Sequence, residues 1–227
     1  MAEEGTTAWQ ADPLPRGRHK LSRDAVRASQ RERLLMAMAQ VVSEEGYEAT
    51  TVPKVVAAAR VSTNAFYEQF KDKADCFIAL CEMAGDALFT EMASFSEAPD
   101  WLTSLDQGLD LYLRWWQQRP ALTRAYMIEL PAAGRRAQDE RDRQHKRFLE
   151  ITAYLAEWAR REDPELPPVS QVALDAAVDT PTDLVGREVR ADRIDGLLDL
   201  KDDLAEVLIR MIADDSWVAR NAERRAG

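Results

Sequence analysis

The segment that most constrains the fold runs from Thr51 to Lys73, where two short helical patterns lie barely one turn apart. Before the first pattern, VPKVVAAA, Thr51 suits the N-cap, and Pro53 is tolerated because first-turn amides have no intrahelical acceptor. Ser62 is placed to cap the second pattern, TNAFYEQF. Two short helices joined by a tight turn predict a helix-turn-helix, whose second helix can enter the major groove of DNA.

The rest of the chain is also predicted to be helical, with a helix that begins at Lys73. Apolar residues recur at three- and four-residue steps in spans 22–45, 101–118, 121–130, 136–162, 169–189 and 197–221. Gly46 is predicted to end the first of these helices, against which Val55, Phe66 and Phe70 are expected to pack. The sequence has no alternating β-branched runs and no Asn-Gly turns, so we predict an all-α protein.

Charge and composition divide the chain into three predicted regions. Residues 1–13 are small and polar and are predicted to form a disordered tail. Residues 14–73 hold 11 Lys and Arg against 7 Asp and Glu, whereas residues 77–227 hold 19 against 29, within a net charge of −10. We predict a DNA-binding domain with a basic N-terminal arm over 14–75 and an acidic helical domain over 76–227. A basic N-terminal region followed by an acidic remainder indicates contact with a polyanion through one end of the chain only.

A helix that reads base edges needs short polar side chains at its N-terminal end. Thr63 and Asn64 meet this requirement, since Asn can bond adenine bidentately and the Thr methyl can contact thymine. Tyr67 follows one turn later, within reach of a phosphate or sugar, and Lys73 is a second candidate phosphate anchor. The predicted DNA contacts are Arg16, Arg18, Thr51, Lys54, Arg60, Ser62, Thr63, Asn64, Tyr67, Gln69 and Lys73.

The full string TVPKVVAAARVSTNAFYEQFKDK resembles the N-terminal signature of the tetracycline-repressor (TetR) family. The positions that match are Thr51, Val55, Ala59, Val61, Ser62, Phe66, Tyr67, Phe70 and Lys73, and the lead-in EEGYEATTV is similar as well. The resemblance covers about residues 30–80. Arg60 replaces the turn glycine of the family, so a left-handed conformation there would cost about 1 kcal/mol. Val56, Pro53 and Gln69 also depart from the usual Ala, basic residue and His.

The resemblance implies a homodimer that places two recognition helices on a palindromic operator, about one helical turn apart. It implies a transcription regulator, most often a repressor, whose domain over 76–227 binds a small-molecule effector and dimerises through the last two long helices. The predicted dimer interface is Leu174, Ala177, Val178, Leu204, Leu208 and Met211. Arg16 and Arg18 either reach the adjacent minor groove or remain solvated.

Aromatic residues and methionine are concentrated in residues 101–130. They form either ordinary core or the lining of an effector pocket for an apolar or aromatic molecule. The candidate pocket residues are Trp101, Tyr112, Trp115, Trp116, Tyr126, Met127 and Glu129. Because adjacent side chains on a helix point in different directions, one of Trp115 and Trp116 is expected in the core and the other at a cavity or interface.

Catalysis and metal binding find little support in the sequence. His19 and His145 have no nucleophile and orienting acid nearby in sequence, and no glycine-rich phosphate loop is present. Asp175, Asp179 and Asp183 are four residues apart and are interpreted as a solvated acidic face. We therefore predict no enzyme activity, no cofactor and no metal. The alternatives are a helical interaction protein or a helical enzyme without DNA binding.

The two cysteines and the hydropathy of the chain indicate an intracellular setting. Cys76 and Cys81 lack metal-ligand spacing and are predicted to be reduced thiols. No run of about 18 apolar residues is present, and the acidic N-terminus lacks the apolar core of a signal peptide. The expected location is the cytoplasm, without a membrane partner.

Overall fold

The computed structural model describes residues 22–93, 98–213 and 217 of the 227-residue chain. Within these residues it contains helices and turns but no strand, which confirms the all-α prediction. The α-helices are α1 (Arg23–Glu45), α2 (Val52–Ala59), α3 (Thr63–Tyr67), α4 (Lys73–Met92), α5 (Trp101–Gln117), α6 (Pro120–Arg124), α7 (Arg135–Glu162), α8 (Gln171–Arg190) and α9 (Lys201–Ile212). A π-helix (Ala125–Glu129) and 3-10 helices (Leu130–Ala132 and Ile194–Leu200) complete the described elements.

The first three helices form a compact unit around the C-terminal half of α1. The Ser22 hydroxyl caps α1 by accepting the Ala25 N–H at 3.1 Å. Gly46 ends the helix with a φ of 83°, as predicted from its position. The apolar face of α1 begins only at Leu34, and its first three turns are not buried. Val55, Phe66 and Phe70 are buried in the core that this face shares with α2 and α3.

Helix α4 connects this unit to the body. It begins at Lys73, so the predicted boundary at residue 75 lies within its first turn, and one hydrophobic core continues from Leu34 to Leu208 across it. A smaller core, which includes Trp101, Ala159 and Trp217, lies at the far end of the body.

Helix α7 lies parallel to α4, and three ion pairs hold the two helices in register. Arg136 contacts Asp75 at 3.0 Å, Arg143 contacts Glu82 at 2.7 Å, and Arg147 contacts Asp86 at 2.6 Å. Each pair joins residues 61 apart in sequence, which requires parallel helices. Between the last two pairs, a Cβ at Gly85 would lie 2.4 Å from Oε1 of Gln144, so glycine permits the close approach.

Two predicted helices have a different form in the structure. The span 121–130 is divided into α6, the π-helix and the start of a 3-10 turn at Leu130. The predicted helix 197–221 begins as a 3-10 segment and becomes α-helical only at Lys201, while residues 214–216 and 218–221 lie outside the described part of the chain. None of the described helices combines the length and hydropathy needed to cross a membrane.

Candidate nucleic-acid interface and effector cavity

The turn between α2 and α3 has the helix-turn-helix geometry that the sequence predicted. Arg60 adopts the left-handed conformation (φ 54°, ψ 47°) that ends α2, and its N–H bonds the Ala57 carbonyl at 3.2 Å. The Ser62 hydroxyl caps α3 by accepting the Ala65 N–H at 3.1 Å. Thr51 occupies the N-cap position of α2, but its side chain makes no capping hydrogen bond. Arg60 thus replaces glycine without disrupting the turn.

Helix α3 presents one polar, exposed face and one buried apolar face. Thr63 and Asn64 are exposed at its N-terminal end, and Tyr67 is 57% exposed one turn later. Phe66 is fully buried and packs edge-to-face on the Tyr67 ring, with ring centroids 5.3 Å apart. The buried phenylalanine therefore fixes the helix, and the exposed side chains are free of the core. Helix α3 is shorter than predicted, because the chain turns after Tyr67.

The predicted DNA-contacting residues outside α3 differ in exposure and in the contacts that their side chains already make. Arg60 is exposed, whereas the Lys54 ammonium pairs with Glu45 and bonds the Ala49 carbonyl at 2.9 Å. Gln69 is only partly exposed. Arg16 and Arg18 lie outside the described residues.

Lys73 is placed differently from a free phosphate anchor. Its ammonium donates to the Tyr47 carbonyl at 2.8 Å and lies 4.2 Å from the centre of the Tyr47 ring. The same ring packs against Phe77 at 5.0 Å. In this structure Lys73 therefore joins the start of α4 to the loop after α1, and the sequence pattern did not indicate this role.

A cavity of about 490 Å³ lies in the body between α4, α5, α7, α8 and α9. Its walls are mainly apolar and include Phe89, Leu109, Phe148, Leu155, Val178 and Ile212. This volume falls within the range of about 300–1,000 Å³ that small-molecule pockets occupy. The cavity is the candidate effector site.

Several polar side chains border this cavity, including Tyr112, Thr182, Arg147 and the acidic Glu150. The Tyr112 hydroxyl lies 3.3 Å from the Thr182 hydroxyl, and burial raises the pKa of Tyr112 to about 12. Of the described lining residues, Arg147 is the one with a positive charge. Its guanidinium stacks over Phe89 at 3.9 Å and pairs with the exposed Asp86. An anionic group of a ligand would meet the Arg147 charge at this wall, although the carboxylate of Glu150 lines the same cavity.

Of the predicted pocket residues, only Tyr112 lines this cavity, and an effector-binding role for the others stays a prediction. Trp115 and Trp116 are both buried in the core, edge-to-face at 4.7 Å, because α5 is covered by helices on several sides. Trp101 packs on Trp217 in the smaller core. Tyr126 and Met127 pack in the main core, and neither they nor Glu129 line this cavity.

Glu129 links the body to the DNA-binding unit instead of orienting a ligand. Its carboxylate accepts the Tyr47 N–H at 2.8 Å. A Cβ at Gly46 would lie 3.6 Å from the same carboxylate oxygen. Glu129 is the last residue of the π-helix, and π-helices occur frequently at functional sites. The loop after α1 is thus held by Glu129 on one side and by Lys73 on the other.

Most of the predicted dimer residues are buried within the single chain, and their role in an interface stays a prediction. Leu204 is 1% exposed and Leu208 is 6% exposed, and both belong to the main core. Ala177, Val178 and Leu208 border the cavity. Leu174 and Met211 are half-buried against the two cores. Outward positions on the same helices, Val172 and Val207, are the exposed apolar ones.

Comparison with known proteins agrees with this geometry. Residues 34–80 match the model of the bacterial regulatory proteins of the tetR family. The fatty acid degradation regulator FadR from Bacillus halodurans is 21% identical, with a TM-score of 0.71 over 78% of this chain and 97% of that chain. FadR from Bacillus subtilis in complex with stearoyl-CoA is 19% identical, with a TM-score of 0.70 over 78% and 96%. A TetR-like transcriptional regulator from Rhodococcus sp. RHA1 is 22% identical, with a TM-score of 0.58 over 78% and 94%. Among curated proteins, none matches this sequence significantly.

The matched segment contains the helix-turn-helix, and the solved structures share the helical fold of the chain. The matched residues 34–80 lie within the segment of about 30–80 that resembles the tetR family, which confirms the resemblance found in the sequence.

Proposed function

We propose that this protein is a homodimeric repressor that binds a palindromic operator through α3 and is released by a small-molecule effector. The observation that carries the proposal is the polar face of α3, exposed on a unit whose loop after α1 is tied to the helical body by Glu129. The body holds an apolar cavity beside α4, the helix that begins at the DNA-binding unit.

In the proposed complex, α3 lies in the major groove. Thr63 and Asn64 contact base edges, and Tyr67 contacts the backbone at the groove wall. The remaining polar and basic residues position the domain on phosphates. This group consists of Thr51, Lys54, Arg60, Ser62, Gln69 and the arm residues Arg16 and Arg18. Lys73 contributes indirectly, because its ammonium supports the Tyr47 loop.

The proposed effector is an amphiphile with a long apolar chain and an anionic group. The apolar walls favour the chain, and Arg147 favours the anion. The similar FadR of Bacillus subtilis was crystallised with stearoyl-CoA, which has both features. Occupancy would release DNA by favouring a body conformation in which the two recognition helices no longer match successive grooves.

The proposed dimer uses the outward faces of α8 and α9. Val172 is 77% exposed at the start of α8, and Val207 is 38% exposed on α9. Light scattering of the purified protein measures its oligomeric state directly. A monomer at micromolar concentration would contradict the proposed dimer.

The experiment that tests the function has two stages. Duplexes are first selected from random DNA by the full-length protein, and binding of the selected duplex is compared with that of an unrelated duplex. Stearoyl-CoA, stearate and uncharged stearyl alcohol are then titrated into the complex. We expect the two anionic amphiphiles to release the duplex more effectively than the alcohol, and Arg147→Gln to reduce this difference. Selection without any sequence preference would refute the DNA-binding proposal, whereas release by none of the amphiphiles would refute only the effector class.

A further inference from the structure

The first three turns of α1 carry a row of positive side chains beside the recognition helix. Arg23, Arg27 and Arg31 follow one another at four-residue steps, and all three are exposed. Residues four apart lie on the same face of a helix. Because the buried face of α1 begins only at Leu34, these turns extend beyond the three-helix core.

The row is attached to the end of α3 rather than projecting away from it. The Arg27 guanidinium donates to the Glu68 carbonyl, which immediately follows α3, at 2.9 Å. The Arg31 guanidinium lies 4.5 Å from the centre of the Phe70 ring. Arg27 is therefore adjacent to the end of the helix where Tyr67 is exposed.

A notch of about 300 Å³ lies between α1 and this end of the recognition unit. Its lining includes Arg27, Arg31 and Gln69, and also Asp24. The Gln69 amide nitrogen is shielded from solvent and has no acceptor among the described residues. Buried polar groups normally have a partner, so this donor is an unsatisfied group of the notch wall, and a phosphate oxygen would reach it only after the side chain rotates.

The positive charges of the row are not neutralised by acidic side chains within the described part of the chain. The ion pairs found there include none of Arg23, Arg27 and Arg31. Asp24 opposes them in the notch, and Glu68 follows α3 nearby. The net charge of this group of residues remains positive, although the net charge of the whole chain is −10.

We propose that this notch and arginine row bind the phosphates of the DNA strand that flanks the major-groove contact. The occupant is the same duplex that α3 reads, because the positive surface is continuous with the helix-turn-helix and complementary to its backbone. The proposal rests on the proposed DNA-binding function. With these contacts, each protomer covers a longer stretch of DNA than α3 alone would cover.

The length of the row sets how many phosphates it contacts. Four helical residues rise about 6 Å, so the row spans about 12 Å. Successive phosphates on one strand advance about 3.4 Å along the duplex axis. Three guanidinium groups therefore bind about two or three phosphates per protomer.

Salt dependence of binding measures these contacts. The slope of log K against log salt falls by about 0.9 for each phosphate contact that is lost. In full-length protein, Arg23→Gln/Arg27→Gln/Arg31→Gln should flatten the slope by about two to three units per protomer, measured with the duplex selected by the wild type. The preference for that duplex over an unrelated one should remain. The single variant Arg23→Gln, at a residue outside the core, should flatten it by about one unit.

Two further variants separate local contacts from changes in net charge and stability. Arg135→Gln/Arg141→Gln/Arg161→Gln removes the same charge from exposed positions of α7 and should leave the slope unchanged. Asp24→Asn should strengthen binding, although it removes an acidic residue that favours the N-terminus of α1.

The outcomes distinguish this inference from the function on which it rests. An unchanged slope in the α1 variants, with sequence preference intact, overturns the phosphate surface alone. An equal loss of slope in the α7 control also overturns it. Absence of sequence preference in the wild type overturns both.

Discussion

At the residue scale, Asn64 is the side chain whose loss should change base recognition most directly. It is exposed at the start of α3, where an amide can bond adenine bidentately. We expect Asn64→Ala to weaken binding of the selected duplex by about 1–3 kcal/mol and to relax preference at one base position per half-site. Electrophoretic mobility shift with a panel of single-base variants measures both effects. Gln40→Ala, at an exposed position on α1, is the control, and an equal loss there would argue against a specific role for Asn64.

The two cysteines should be chemically inert in the folded protein. Both are fully buried and free, and burial raises the pKa of the Cys76 thiol to about 12. Burial raises the pKa of Cys81 as well. Because the thiolate is the reactive form, we expect a thiol reagent such as DTNB to label neither residue at pH 8 until the protein is unfolded. Stoichiometric labelling of native protein within minutes would contradict this.

At the element scale, the ion pairs between α4 and α7 make stability depend on pH. The Lys71 amide and the Arg136 guanidinium hold the pKa of Asp75 below its ordinary value of 3.8. The ionised carboxylate therefore stabilises the fold above that value, and this contribution is lost as the pH falls through the lowered pKa.

We expect Asp75→Asn to lower the free energy of unfolding by about 1 kcal/mol at pH 7, as is typical of a partly exposed ion pair. The difference from wild type should shrink below about pH 4 and vanish once Asp75 is protonated. Thermal unfolding across this pH range is the measurement, with the exposed Asp139→Asn on α7 as the control. A difference that persists at pH 2 would show that the carboxylate charge is not the cause.

The sequence predicted elements well where backbone chemistry decided them. Ser62 as a cap, Gly46 as a helix end and Arg60 in the left-handed turn were all identifiable, because each depends on near neighbours. The predicted start of the last α-helix at residue 197 was wrong. Apolar periodicity over residues 197–200 fits a 3-10 segment as well as an α-helix. Periodicity locates a buried face but does not distinguish these two helical forms over one turn.

At the scale of the whole molecule, the link between Glu129 and Tyr47 should couple the cavity to DNA binding. The link is one hydrogen bond of 2.8 Å between the π-helix and the loop after α1. We expect Glu129→Ala to retain effector binding and DNA binding measured separately, while the effector loses most of its influence on DNA affinity. The coupling free energy follows from the two DNA affinities, measured with and without stearoyl-CoA. Undiminished coupling in this variant would show that another contact connects the cavity to DNA binding. The coupling free energy of Glu129→Ala is compared with that of Glu150→Ala, a variant at the cavity wall.

The candidate site was only partly predictable from sequence. The exposed face of α3 was found, because motif residues define it locally. The cavity was not found, since residues 89 to 212 converge on it from five helices and periodicity cannot show which buried faces leave a space between them. Trp115 and Trp116 suggested a pocket by composition, yet only 1% and 2% of their side chains are exposed. Lys73 was predicted to contact a phosphate and Glu129 to line a pocket, but their shared partner, Tyr47, is apparent only in three dimensions.

The left-handed conformation of Arg60 has opposite effects on thermal stability and on affinity for the proposed operator. A non-glycine residue in this conformation costs about 1 kcal/mol, so glycine there would give a protein that unfolds at a higher temperature. The same replacement removes an exposed cation from the proposed DNA-facing surface. Selection for thermostability alone would therefore favour a chain that binds the proposed operator more weakly.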